Sequence, residues 1–127
     1  MDFYISPTLS ILNAGHLPTF HREWVEAGLI KSQDLNVNIL QGPDYYRIDI
    51  AHAVYKQKIQ EKFQEHLEWL RPLDRLQRAT MGFESAITFM QATDNSALIP
   101  RFWEKTQQLD NIRNENIFDV LPELMNL

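Results

Sequence analysis

Histidine supplies most of the chemistry this sequence could offer, and two of its four histidines fall in one short stretch, "LNAGHLPTFH", residues 12 to 21. His16 and His21 are five residues apart, which on a single helix separates them by about 140°. A helical metal pair needs a spacing of three or four, as in H-E-x-x-H, and no third ligand follows nearby. The spacing therefore predicts a helix start rather than a metal centre: His16 in the loop or cap, His21 on the helix surface. His66 stands beside Glu65 and Glu68 and one turn from Lys62, a pattern that reads as a solvated face, and His52 is placed to cap the helix that follows it. There is no Ser-His-Asp order, Gly-rich phosphate loop or Walker motif. With no cysteine, the chain has no disulfide, thiolate nucleophile, Cys-ligated zinc or iron–sulfur cluster of its own. We expect no catalytic residue and no metal in this chain.

Composition narrows the function classes further. The 127 residues, 44% hydrophobic and 11% aromatic, suit one domain with a true core. A net charge of −5, with its lysines and arginines scattered, predicts no nucleic-acid partner, because phosphate affinity needs a basic stripe. No apolar run reaches the roughly 18 residues of a membrane helix, and "MDFYISPTLS" has no basic n-region, so the expected location is the cytoplasm with no membrane partner.

The elements that would position these side chains fall into two parts, 1–51 and 52–127. "DFYIS" and "LNVNIL" are β-branched or aromatic segments bounded by Pro7 and by Gly42-Pro43, and both read as strands. Between them Leu17, Phe20, Trp24 and Val25 share a helical face, Pro18 suits a first turn and Gly28 a left-handed stop. Strand, helix, strand predicts a βαβ unit with parallel strands. Two strands are few for a parallel sheet, which marks the unit as a slice of something larger. Three amphipathic helices follow. The first repeats Tyr55, Ile59, Phe63 and Leu67, with Lys56, Lys58 and Lys62 on its other faces; the second carries Leu76, Ala79, Phe83, Ala86, Ile87 and Met90 behind an Asp74 N-cap, with Gly82 as a weak point or close-packing site; the third carries Leu98, Phe102, Thr106, Leu109 and Ile112 after the caps Asp94, Asn95 and Ser96. A short apolar turn ends the chain. The fold class expected is an α/β fragment, mostly α.

Loops that follow parallel strands emerge on one face, where barrel and doubly wound proteins bind ligands. Here they hold a dense polar set, and Ser10, Asn13, His16, Gln41, Asp44, Tyr45 and Arg47 are the candidate ligand-facing residues. The competing reading is that these groups cap irregular backbone and that Arg47 pairs simply with Asp44 or Asp49. Asn36 and Asn38, alternating with Val37 and Ile39, would line either a polar barrel interior or an exposed sheet face.

Taken together, "ISPTLSILNAGHLPTFHREWVEAGLI", "LNVNILQGPDYYRIDI" and "RATMGFESAITFMQATDNSALIPRFWEKTQQLDNIRNENIFDVLPEL" resemble the C-terminal portion of radical SAM proteins of the twitch-domain type, common among marine microbes and their phages. The resemblance implies the last strands of a partial barrel with a helical tail. It also implies a parent enzyme using S-adenosylmethionine and a [4Fe–4S] cluster held by a C-x-x-x-C-x-x-C segment, which this sequence lacks. On that resemblance the chain is expected to be a non-catalytic segment that associates with itself or with a complementary barrel half. The alternative is a stand-alone helical interaction module.

Overall fold

In a computed structural model, which describes residues 5–127, strand β1 (Thr8–Leu9) pairs in parallel with β2 (Asn38–Ile39), and the helix α1 (Leu17–Glu26) crosses between them. Helices α2 (Ala53–Leu70), α3 (Arg78–Ala92) and α4 (Ile99–Arg113) follow, then two 3₁₀ turns at Ile117–Asp119 and Pro122–Asn126. The expected class, an α/β fragment that is mostly α with one βαβ unit and three further helices, is what forms. Among the described residues no helix is long and apolar enough to cross a membrane.

The first strand extends past Pro7, beyond the segment its sequence suggests. Residues 2–4 of "DFYIS" lie outside the described residues. Among the described residues an isolated bridge joins Ile5 to Leu35, and pairing resumes past Pro7 at Thr8–Leu9. Pro7 lies inside the paired stretch, not at its end: it has no N–H to give the ladder, yet its carbonyl accepts the Asn38 N–H at 3.0 Å. Asn36 and Leu40 donate to Ile5 and Leu9 in the same rhythm.

Leu9 and Leu35 are fully buried on one face of this ribbon, whereas Ser6, Thr8 and Asn38 are exposed on the other. The Asn13 side chain occupies the outer edge of β1, accepting the Ser10 N–H at 2.8 Å and donating to the Thr8 carbonyl at 2.9 Å. One primary amide thus supplies the donor and acceptor that a neighbouring strand would bring. On the other strand, α3 lies against Val37: a Cβ at Gly82 would come within 3.0 Å of the Val37 Cβ. Gly82 is therefore a close-packing site.

Helix ends follow their chemistry. Gly28 has φ +76° and stops α1 as expected. Asp74 does cap α3, but from three residues before the cap position, which Gln77 holds at φ +57°. Its Oδ2 accepts from both the Thr80 N–H (2.8 Å) and the Thr80 hydroxyl (2.9 Å), and the residue is 1% exposed. As a result Leu76 stays outside the helix and is exposed rather than part of its apolar stripe; Leu109 and Ile112 are likewise exposed, because the last turns of α4 extend past the core that holds Phe102 and Thr106. Lys56 is buried, not on an outer face: its stem packs inward and its Nζ donates to the Thr93 carbonyl at 2.8 Å.

Replacing Gly82 by Val forces Val37 and β2 away from α3. We predict a loss of about 1–3 kcal/mol, measured as a lowered midpoint in chemical denaturation, while a Ser85→Ala change on the exposed side of α3 leaves the midpoint unchanged.

Candidate functional site

The candidate loop residues separate into local clusters. Ser10 and Asn13 serve the backbone around them: the Ser10 hydroxyl accepts the Leu12 N–H at 3.2 Å, and Asn13 closes the edge of β1. His16 occupies the N-cap of α1, and its Nε2 meets the Glu123 carboxylate, tying the start of that helix to the C-terminal turn. Gln41 and Asp44 are exposed. The Tyr45 ring packs on Tyr46 at 4.7 Å, and the Arg101 guanidinium lies 5.6 Å from its centroid.

Arg47 pairs with Asp49, whose Oδ2 also accepts from Thr93 Oγ1 (3.1 Å) and Asn95 Nδ2 (2.7 Å). The Asn95 N–H in turn donates to the Asp49 carbonyl at 3.2 Å, and Arg47 stacks over Phe89 at 5.1 Å. With Asp49 fully buried, this is a clip holding the turn Ile48–Ile50 against the connection between α3 and α4. Ion pair and hydrogen bonds all converge on Oδ2, so that oxygen is committed to structure.

The group that the sequence reading misplaced lies elsewhere. His21 is not a surface residue and His66 is not on a solvated face: they are 0% and 5% exposed. His21 Nδ1 and His66 Nε2 are 2.9 Å apart, and His21 Nε2 lies 3.0 Å from the Ser32 carbonyl. A carbonyl can only accept, so His21 carries its proton on Nε2; its Nδ1 is then the acceptor, and His66 Nε2–H donates to it. Trp69 and Phe83 enclose the two rings at centroid distances of 4.8–6.0 Å.

Both imidazoles are held neutral. Burial is the main cause, lowering the His21 pKa below its ordinary value and pushing His66 down to about 3, with His21 and the Arg22 guanidinium adding to the effect on His66. Of the pair, His66 lines a cleft of 270 Å³ between α1 and α2, together with Pro18, Thr19, Arg22, Lys62 and Glu65. Neither histidine has the surroundings of a metal ligand: among the described residues no three His, Cys, Asp or Glu converge on a common point.

The helix patterns carried a signal for this pair. His21 follows Leu17 by four residues and Pro18 by three, and all three are buried. His66 continues Ile59 and Phe63 at spacings of four and three before Leu70.

Searches against protein families, curated proteins and solved structures found no match to this chain. The residues present do not fit the [4Fe–4S] cluster that the radical SAM resemblance implies, because no cysteine thiolate is available to bind it.

Because His21 and His66 bind protons in the unfolded chain near their ordinary value of 6.5 but resist them when folded, the unfolded state holds more protons as pH drops below that value. Stability is predicted to be level above about pH 7 and to fall as pH drops toward 4, by about 1.4 kcal/mol per unit from His66, whose folded pKa is about 3, with His21 acting in the same direction. Urea denaturation across this range checks it, and His66→Phe should flatten the slope.

Proposed function

We propose that this chain is a non-catalytic C-terminal segment of a radical SAM-like enzyme, with no complete active site of its own, which associates with a second copy or with a complementary barrel half in the cytoplasm. The observation that carries the reading is the parallel two-stranded sheet with one bare face. Parallel sheets are normally covered on both faces and built from more strands, whereas here Ser6, Thr8 and Asn38 are exposed opposite a face that buries Leu9 and Leu35. The polar candidate residues that follow the strands support a structural role: Ser10, Asn13 and Arg47 are spent on local hydrogen bonds and an ion pair. On this reading the partner is protein, and nucleic acid and membrane are not partners.

A second reading, a stand-alone helical interaction module, is favoured by the edges of the same ribbon. Asn13 occupies the outer edge of β1 and α3 lies over Val37, just before β2, so the sheet is partly closed by its own chain.

Light scattering over a concentration series separates the two. The first reading predicts species heavier than the single chain of 15.0 kDa, through an interface of about 800 Å² per partner. A 15.0 kDa particle at every concentration, melting cooperatively, would favour the second.

A further inference from the structure

The cleft between α1 and α2 has the chemistry of a small-molecule site, independent of the sheet. One of its lining groups is a fixed imidazole, that of His66. With His66 Nε2 donating to His21, the other ring nitrogen, Nδ1, is a hydrogen-bond acceptor. Among the described residues it has no hydrogen-bond partner, and it is not one of the sealed, unpartnered atoms found there, Arg47 Nε, Asp49 Oδ1 and Asp74 Oδ1. The His66 residue is nineteen-twentieths buried, and the part of it that stays open lines the cleft. Nδ1 therefore presents a lone pair there, fixed by a buried chain that ends at the Ser32 carbonyl.

The walls add charge of a different kind. Arg22, steadied over the Trp69 ring at 5.3 Å, lies close enough for its charge to act on the His66 ring, and Lys62 stands on the facing helix with Nζ 3.3 Å from the Gly15 carbonyl. Arg22, whose Nε donates to Glu26 at 3.0 Å and whose remaining N–H groups are left to a ligand, and Lys62 favour an anion, yet a neutral acceptor beside them disfavours an anion that brings no hydrogen, because it would leave the desolvated lone pair unpaired. The arrangement selects a ligand with an anionic end and a donor close beside it. At 270 Å³ the space is that of a molecule smaller than most cofactors.

We propose that this cleft binds a small carboxylate carrying an O–H or N–H donor on the adjacent carbon, an α-hydroxy or α-amino acid. The carboxylate faces Arg22 and Lys62, and the donor bonds His66 Nδ1. For an α-amino acid, Glu65 on the rim offers the ammonium a second partner.

The test is a titration of the 127-residue chain at neutral pH with lactate, glycine, propionate and sulfate, following the ¹⁵N resonance of His66 Nδ1. Lactate or glycine should shift that resonance saturably, and propionate, which keeps the carboxylate but lacks the donor, should bind at least about tenfold more weakly. Arg22→Gln, a change at an exposed side chain, should weaken the binding by a similar factor while leaving the His21–His66 bond in place. Glu65→Gln weakening glycine but not lactate would identify the ammonium as the preferred donor, and tighter lactate binding that this change leaves untouched would identify the hydroxyl. Propionate or sulfate, neither of which brings a hydrogen at neutral pH, binding as tightly as lactate and glycine would reduce the cleft to an adventitious ion site and overturn the proposal. So would a His66 resonance that none of the four moves, or affinity unchanged in Arg22→Gln.

Discussion

Three elements distant in sequence meet at one line of hydrogen bonds, from His66 on α2 through His21 on α1 to the Ser32 carbonyl in the turn before β2. Each bond depends on the protonation state of the next atom: the carbonyl fixes the proton of His21, and His21 fixes that of His66. Water would compete with such a chain at the surface, but here it is enclosed by Trp69 and Phe83. Low polarity keeps both rings neutral and strengthens the bonds between them. The position of α1 against α2, and hence the cleft they form, follows from that alignment.

Other polar groups are also taken into the interior as joints between segments. Asp49 gathers Arg47, Thr93 and Asn95 around one oxygen, and Asp74 collects both donors of Thr80. Buried carboxylates are costly to desolvate, and multiple charge-assisted bonds are what offset the cost. Between these joints the apolar core runs continuously from Leu9 and Leu35 of the ribbon to Phe63, Phe83 and Phe102 of the three later helices. Among the described residues, segments 5–51 and 52–127 are thus joined through a shared core.

Much of this architecture is legible in the amino-acid order because it is local. Period-3.6 apolar stripes fix α2, α3 and α4, and Gly28 and Pro18 mark the ends of α1. The histidines were harder to place because their neighbours in sequence are charged: Glu65 and Glu68 suggest a wet face, yet position 66 falls on the inner side of α2 beside Phe63 and Leu70. A histidine on an apolar stripe is buried only if a partner arrives from elsewhere, and here that partner is forty-five residues away. The same limit applies to Leu76. Its fit to the stripe of α3 is sound as periodicity, but the long-reach cap from Asp74 starts the helix after it. Nor does any periodicity reveal that Asn13 would take the place of a strand, since that depends on how the loop folds back on β1.

The most direct test of this account is the electron-mediated ¹⁵N–¹⁵N coupling across the hydrogen bond between His66 Nε2 and His21 Nδ1, measured near neutral pH on uniformly labelled protein. The account predicts a resolved coupling, with both rings neutral and both protons on Nε2. Absence of the coupling, together with ¹⁵N shifts of a protonated or freely exchanging His66 ring, would contradict it and remove the basis for the cleft's fixed acceptor.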